Sequence, residues 1–253
     1  FGFAIDNGDA ERAINMIAEY ENLNLIGIHF HLGSPLFSTK PYELGIRKVA
    51  EFISHFDNFD LQEFSPGGGF AVSYTRDDSP PDVSDYASVI GNTMNEVISE
   101  YNLPKPKLVI EPGRAIAGPA GIAIYTVGAI KNIENVRKFI SVDGGMGDNI
   151  RPALYGSKYE AIVVNRLWDE RPKELVTIVG KYCESGDILV KDIELPEIKS
   201  GDLIAIPVSG AYSTSMASNY NMNPRPEIIS VKDGMDMVIR KKETFADLFK
   251  MDV

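Results

Sequence analysis

The sequence has 253 residues, of which 44% are hydrophobic and 24% charged, and its formal net charge is −11. This length and composition are typical of a soluble globular protein with one large domain or two smaller ones. The negative charge argues against a nucleic-acid partner. No apolar run reaches the roughly 18 residues that a membrane-spanning helix needs, and no signal peptide opens the chain. The only cysteine, Cys183, permits no internal disulfide and fits a reducing compartment, so we expect a cytoplasmic protein.

Residues 1–118 alternate between helical and strand-like segments. Three segments carry apolar residues at helical spacing, and strand-like runs follow them in "LNLIGIHFH", "DLQEF" and "KLVIE". This order predicts a parallel sheet covered by helices, and three strands would be part of a barrel or of a doubly wound sheet. The apolar helix positions are Ile14, Ile17 and Ala18, then Leu44, Val49, Phe52, Ile53 and Phe56, then Tyr86, Val89, Ile90, Val97, Ile98 and Tyr101.

From about Gly121 onward, the spacing of apolar residues is that of strands, with few helical stretches between them. Strand-like runs follow one another in "GIAIYTVGAI", "KFISVD", "EAIVVNRL", "ELVTIVGK", "DILVKDI" and "DLIAIPV". The stretch "EIISVKDGMDMVIR" predicts a hairpin that turns at Asp233-Gly234. Residues 119–253 are therefore predicted to form a second, mostly antiparallel β domain.

Two histidines lie in the first strand-like run. In "IGIHFHLGS", His29 and His31 share one face of the strand and Ile28 and Phe30 share the other. His31 is nearer the carboxyl end, where parallel α/β proteins place their sites. Three interpretations stay open here: hydrogen-bonded core histidines, a zinc pair, or an imidazole stacked on an aromatic cofactor.

A glycine run follows the second strand. In "SPGGGF", Gly67 to Gly69 would let backbone N–H groups approach an anion closely, although a flexible turn explains the same pattern. Ser34, after the first strand, could add a hydroxyl to the same phosphate.

The third strand leads into "VIEPGRA". Arg114 offers a charged fork for phosphate, and Glu111 could keep a ring nitrogen protonated; a structural ion pair between the two is the alternative. An imidazole, a glycine loop, a Glu and an Arg at successive strand ends together describe a site for pyridoxal phosphate.

The last motif, "YCESGD", lies in the β half. A lone cysteine is most often a small buried hydrophobe, but Cys183 has Glu184 and Asp187 beside it. The stretches "RPALYGSKY" and "SGAYSTSMASNYN" add Arg151, Tyr155 and Tyr212 as polar candidates.

Six motifs in this order resemble the pyridoxal-phosphate decarboxylases with an alanine-racemase-like barrel. They are "HFHLGS", "GGGF", "EPGR", "VDGGMGDNIRPALYG", "CESGD" and "GAYSTSMASNYN". The resemblance implies an (α/β)8 barrel, here incomplete and represented by its last strands, followed by an antiparallel β domain. It also implies a homodimer in which the barrel of one subunit meets the β domain of the other.

The resemblance implies a role for each of several residues. His31 would stack on the cofactor ring and Glu111 would contact the pyridine nitrogen. Cys183 would give a proton to the carbanion left when carbon dioxide departs. The cofactor would be held by Ser34, Gly68, Gly69, Pro112, Gly113, Arg114 and Tyr212, and the substrate by Arg114, Arg151, Tyr155, Glu184 and Tyr212. Glu184 beside Arg151 suits a substrate with a second amino-acid head group, so the implied reaction converts meso-2,6-diaminopimelate to L-lysine, without a metal.

Two features depart from the family pattern. Pro66 stands before the glycines where the family carries a hydrophobic residue. The lysine that binds the cofactor lies in an early barrel strand of the family, and Lys107 and Lys131 do not lie in that motif. We therefore expect a fragment that lacks this lysine and is inactive alone. Three alternatives remain: a related amino-acid or polyamine-type decarboxylase, a lysine-less binding homologue, and a metal-dependent hydrolase that uses His29 and His31.

Overall fold

The computed structural model describes residues 1–56, 59–166 and 171–253. The chain divides into two compact units. The first comprises Phe1–Ser73 and Ser79–Ile116, and the second comprises Tyr74–Asp78 and Ala117–Val253. A short segment between the second strand and the third helix thus belongs to the unit formed by the later half of the sequence.

The first unit alternates helices and strands as predicted. Its elements are α1 (Asp9–Ala18), β1 (Gly27–His29), α2 (Lys40–Ile53), β2 (Glu63–Ser65), α3 (Val83–Glu100), β3 (Lys107–Leu108) and α4 (Gly113–Ala117). The strands form a parallel sheet in the order β1-β2-β3. Because parallel strands end at the same edge, the segments after β1, β2 and β3 come together there.

Helices α2 and α3 form most of this unit's core. The buried positions of α2 recur at helical spacing and pack against the buried side of α3. At the first turn of α3, Asp82 and Asp85 form a capping box. The buried residues are Tyr42, Ile46, Val49, Ala50 and Ile53 of α2 and Tyr86, Ile90, Thr93, Met94 and Val97 of α3. The prediction that Leu44 faces the core was wrong: it lies about 200° around the helix from Tyr42 and is 57% exposed.

The second unit is a β structure with short helices. Its elements are β4 (Ala123–Ile133), β5 (Arg137–Val142), α5 (Arg151–Tyr155), β6 (Ile162–Val163), β7 (Lys173–Val179), β8 (Ile188–Pro196), β9 (Leu203–Ile206), α6 (Ser213–Met216), β10 (Ile228–Lys232), β11 (Met235–Arg240) and α7 (Phe245–Leu248). Six strands form one sheet in the order β6-β9-β4-β5-β7-β8, in which every pair is antiparallel except β5 with β7. The predicted antiparallel character is correct with that one exception.

Two local predictions in this unit have different outcomes. The strand predicted over "EAIVVNRL" is shorter, because β6 gives way to a 3-10 turn at Val164–Arg166 and Leu167 lies outside the described residues. The hairpin prediction is confirmed: β10 and β11 pair around Asp233 and Gly234, whose φ values of 52° and 75° suit a two-residue turn with both central residues left-handed.

No helix within the described ranges is both long enough and apolar enough to cross a membrane.

Candidate active site

The edge of the parallel sheet gathers the predicted cofactor residues of the first unit. His29 ends β1, the glycine run follows β2, and Glu111 follows β3. The backbone joins these segments, since Glu111 N–H donates to the carbonyl of Gly67 at 3.0 Å and Gly68 pairs with Glu111 in a parallel bridge. The sheet therefore brings together residues that are far apart in sequence.

The two histidines contact different partners at this edge. Nε2 of His29 lies 3.1 Å from Oε2 of Glu111. Nδ1 of His31 lies 3.3 Å from the amide nitrogen of Gly68, so this ring nitrogen accepts the hydrogen bond and carries no proton there. Both histidines are exposed, so the interpretation as core histidines was wrong. The sequence favoured His31 as the site histidine and did not predict that His29 would pair with Glu111.

The glycines allow the strand ends to approach. A Cβ on Gly68 would collide with the carbonyl oxygen of Glu111, and Gly69 has a φ of +97° with the carbonyl of Gly33 against it. All three glycines, Gly67 to Gly69, are buried, which disfavours the alternative of a plain flexible turn. At this edge, glycine is required by the close contact between backbones.

Arg114 lies in α4, just after Glu111 and Pro112-Gly113. Its side chain is buried and its Nε donates to the hydroxyl oxygen of Ser34 at 3.3 Å. A buried cation is costly unless it has anionic or hydrogen-bonding partners. Arg114 and Ser34 therefore form a cationic, hydroxyl-bearing position of the kind that binds a phosphate group.

In the second unit, two predicted tyrosines lie beside the guanidinium of a predicted arginine. Arg151, the first residue of α5, is buried, and its Nε donates to the hydroxyl of Tyr159 at 3.2 Å. Its Cζ lies 5.4 Å from the ring centroid of Tyr155 and 5.0 Å from that of Tyr212, which are cation–π distances. The structure thus brings Arg151, Tyr155 and Tyr212 together, and it adds Tyr159, which sequence reasoning missed.

The Cys183–Glu184 turn lies between β7 and β8. Cys183 is exposed, so the interpretation as a small buried hydrophobe was wrong. Its amide donates to Oδ1 of Asn221 at 3.1 Å, and the hydroxyl of Tyr220 donates to Oε2 of Glu184 at 3.2 Å. Tyr220 and Asn221 were missed as individual residues, although they belong to the "SNYN" stretch of a quoted motif.

Asp187 fixes this turn to the loop that precedes α5. Its carboxylate is buried and accepts N–H groups from Met146 at 2.7 Å and from Tyr182 at 2.8 Å. Burial raises its pKa, and the two backbone donors oppose that shift. Asp187 therefore organises the backbone beside Cys183.

The two candidate zinc ligands, His29 and His31, already contact other groups. Across residues 1–56, 59–166 and 171–253, no group of three or more His, Cys, Asp or Glu side chains is arranged to hold a metal ion. His29 and His31 have Glu111 and Gly68 as their partners.

Comparison with known proteins finds that the chain is similar to a family of decarboxylases. Residues 1–118 match the model described as pyridoxal-dependent decarboxylase, pyridoxal binding domain. The chain is 43% identical over 256 residues to diaminopimelate decarboxylase of Bacillus subtilis, and the match covers 100% of this chain and 58% of that protein. It is 38% identical over 269 residues to the enzyme of the same name from Mycobacterium tuberculosis, covering 100% and 59%.

Solved structures of decarboxylases are also similar to this chain. A diaminopimelate decarboxylase from M. jannaschii in co-complex with L-lysine has a TM-score of 0.94 and 35% identity, covering 100% of this chain and 57% of that one. A lysine/ornithine decarboxylase from Vibrio vulnificus complexed with cadaverine has a TM-score of 0.71 and 26% identity, covering 85% and 58%. The chain thus spans less than two thirds of the length of these relatives. The comparisons confirm the predicted resemblance, the fold class of a barrel followed by a β domain, and pyridoxal phosphate as the cofactor.

Proposed function

We propose that this chain is part of a diaminopimelate decarboxylase, since residues 1–118 match the model of the pyridoxal binding domain of pyridoxal-dependent decarboxylases. The reaction removes carbon dioxide from meso-2,6-diaminopimelate and gives L-lysine. The observation that carries the proposal is the similarity to diaminopimelate decarboxylases along 100% of the chain, through the barrel strands and the β unit alike.

The donor set at the sheet edge fits pyridoxal phosphate. When bound, this cofactor supplies a protonated pyridine ring that accepts electrons from the bond that breaks at the α-carbon of the substrate. The Glu111 carboxylate is 55% exposed at the strand end, where it would keep a proton on the pyridine nitrogen of the bound cofactor. His29 orients that carboxylate. His31 would stack its imidazole on the cofactor ring.

The phosphate requires donors and positive charge. Ser34 and Arg114 provide a hydroxyl and a guanidinium that already contact each other. Tyr212 adds a phenol from the β unit. The complete set that we propose for the cofactor is His31, Ser34, Gly68, Gly69, Glu111, Pro112, Gly113, Arg114 and Tyr212.

The substrate's second head group requires both signs of charge. We assign its distal carboxylate to Arg151, whose guanidinium is held between two aromatic rings, and its distal ammonium to Glu184, whose second oxygen is held by Tyr220. Tyr155, Arg114 and Tyr212 complete the proposed substrate contacts. A substrate without a distal carboxylate would leave Arg151 without its anion.

Cys183 is the proposed proton donor. After the α-carboxylate leaves as carbon dioxide, the thiol proton goes to the α-carbon, and the thiolate then recovers a proton from water. Cys183 is exposed, as this exchange with solvent requires.

A related amino-acid or polyamine-type decarboxylase is the second candidate. The similarity disfavours it, because the lysine/ornithine decarboxylase reaches a TM-score of 0.71 against 0.94 for the diaminopimelate enzyme. The proposed substrate contacts also disfavour it, because a substrate without a distal carboxylate would leave Arg151 without an anion. The third candidate is not an enzyme: it is a homologue that lacks the cofactor-binding lysine and only binds partners.

We further propose a cytoplasmic homodimer in which Cys183 and Glu184 act on the barrel of the other subunit. The division into a cofactor barrel in residues 1–118 and a β domain in residues 119–253 belongs to the same proposal.

The direct test is turnover by the complete gene product loaded with pyridoxal phosphate. We expect carbon dioxide and lysine to form in equal amounts from meso-diaminopimelate, with far lower kcat/KM for lysine and for ornithine. A preference for ornithine would support the polyamine-type candidate, and cofactor-independent partner binding without turnover would support the binding homologue.

A further inference from the structure

One carboxylate fixes both ends of the loop from Asn219 to Arg225. Oε2 of Glu243 accepts from the Asn219 side-chain amide at 2.7 Å and from the backbone N–H of Arg225 at 2.8 Å. Oε1 of Glu243 accepts from Nε of Arg225 at 2.8 Å and also from its Nη2. Glu243 also donates its own backbone N–H to the carbonyl of Arg225 at 3.1 Å. Four donors thus converge on one side chain, which lies beyond the β10-β11 hairpin in sequence.

The loop between these ends has an unusual backbone. Asn221 and Met222 have φ values of 52° and 59°, in the left-handed region that residues with a side chain seldom occupy twice in succession. Inside the loop, the Asn219 amide also donates to the carbonyl of Asn223 at 3.0 Å. A backbone of this kind persists when surrounding contacts determine it. The contacts at Glu243 are the strongest ones at the ends of this loop, because the arginine bond is a charge-assisted fork.

The loop delivers two side chains to the Cys183–Glu184 turn. Asn221 accepts the amide N–H of Cys183, and Tyr220 donates to the carboxylate of Glu184. Each of the two proposed functional residues in the turn therefore has a partner in the loop that Glu243 closes.

We infer that Glu243 is a positioning residue: through Asn219 and Arg225 it fixes the loop whose Tyr220 and Asn221 hold Cys183 and Glu184 in place. This role rests on the proposed function for its effect on turnover, but its structural part does not. Glu243 has no part in the proposed chemistry and acts only through the loop.

The charge of Glu243 is well suited to this role. Hydrogen bonds from the Arg225 side chain, and after them from its backbone, lower the pKa of Glu243 to about 2. The carboxylate is therefore ionised throughout the neutral range and keeps the full strength of the fork.

The test is hydrogen–deuterium exchange, read by mass spectrometry, on the complete gene product with Glu243→Gln. The NH2 group of the introduced side-chain amide would face the donors of Asn219 and Arg225, so the loop should open more often. We expect exchange in the peptide that contains Cys183 and Glu184 to accelerate about 10-fold, the factor that corresponds to 1.4 kcal/mol of opening free energy. Exchange in the buried strand β9 (Leu203–Ile206) should stay unchanged.

Glu174→Gln is the matched control. Glu174 pairs with Lys138 in the same unit at 2.6 Å, with a side-chain exposure of 29% against 20% for Glu243. It should leave exchange at Cys183 unchanged. Arg225→Lys provides a second route if Glu243→Gln fails to fold, because it keeps the positive charge and removes the fork. It should accelerate the same peptide.

Kinetics complete the test. If the turn is mispositioned, kcat should fall through Cys183 and KM for meso-diaminopimelate should rise through Glu184, for a combined loss of about 10-fold or more in kcat/KM. Unchanged exchange at the turn in both variants, or equal acceleration in β9, would overturn the positioning role. If the parent protein does not decarboxylate diaminopimelate while exchange at the turn still accelerates, the proposed function fails and the positioning role stands.

Discussion

His29 and Glu111 lie 82 positions apart in sequence, yet Nε2 of the imidazole is 3.1 Å from Oε2 of the carboxylate. Strand β2 lies between β1, which ends at His29, and β3, which Glu111 follows. The contact occupies one carboxylate oxygen and leaves the other for the pyridine nitrogen, which suits the role proposed for Glu111.

The first prediction concerns that carboxylate. Glu111→Ala in the complete gene product should leave pyridoxal phosphate bound but reduce kcat by about 100-fold or more, because a preorganised electrostatic partner of the reacting ring is lost. Turnover and the absorbance of retained cofactor after dialysis measure the two effects. Glu63→Ala, which removes an exposed carboxylate paired with Lys107 in the same sheet, should change neither. Near-normal turnover of Glu111→Ala would show that the ring nitrogen is not its target.

The second prediction concerns the close contact at Gly68. Gly68→Ala should lower the free energy of unfolding by about 1–3 kcal/mol, because the new methyl group meets the Glu111 carbonyl and the backbones must separate. Urea denaturation measures this change. Gly91→Ala is the control: Gly91 lies within α3 with open space at its Cβ, so alanine should raise stability by about 0.5–1 kcal/mol. Equal effects of the two substitutions would contradict the close contact.

The third prediction concerns Arg151. Arg151→Ala should raise KM for meso-diaminopimelate by about 30-fold or more, since truncating one partner of a buried charge pair costs roughly 2–5 kcal/mol. Cofactor affinity should change little. Arg137→Ala removes another arginine that lies near an aromatic ring, Phe139, but is paired with Asp192 at the surface, and should leave KM unchanged. Arg151 would not bind the distal carboxylate if the variant kept the parent's KM.

The fourth prediction concerns pH. The pKa of Glu243 falls from an ordinary value of 4.5 to about 2 in the folded protein, so its ionised form stabilises the fold. That contribution is fully present above about pH 4.5 and is lost as the pH falls toward 2. The difference in unfolding free energy between the parent and Glu243→Gln should therefore be constant from pH 7 to 5 and shrink below it. Asp247 titrates in both proteins, and because Thr244 is the main cause of its lowered pKa and Glu243 the smallest one, most of its effect cancels from the difference.

The fifth prediction concerns the homodimer with shared sites. Mixing inactive Glu111→Ala and Cys183→Ala proteins should restore activity, because one site of each mixed dimer then receives both defects and the other receives neither. Random re-pairing makes about half of the dimers mixed, so about a quarter of all sites should recover. No recovery after verified subunit exchange would place both residues of a site in one subunit.

Local sequence patterns were sufficient for the elements and insufficient for their contacts. The spacing of apolar residues located α2 and α3, but it could not separate Leu44 from Tyr42, because which face is buried depends on what packs against the helix. The turn at Asp233-Gly234 could be predicted from the sequence because those residues tolerate a left-handed backbone.

For the candidate site, too, the sequence predicted residue types but not their contacts. Motifs identified Glu111, Arg151 and Cys183 as residue types suited to the chemistry. They did not reveal that His29 contacts Glu111 or that Glu243 closes the loop beside Cys183, since these pairs depend on strand register and on the path of the chain after a hairpin.

The segment Tyr74–Asp78 has a consequence for recombination between relatives. It lies early in the chain but belongs to the second unit, where the ring of Tyr74 packs edge-on against Tyr159 at 5.1 Å and Arg76 pairs with Glu160. Tyr159 in turn holds the guanidinium of Arg151. A chimera joined at residue 118 would therefore combine a Tyr74 segment from one parent with a Tyr159 from the other. Exchange of this short segment together with the β unit would keep both native pairs, Tyr74 with Tyr159 and Arg76 with Glu160. The part of the gene that must be exchanged as one block is therefore discontinuous.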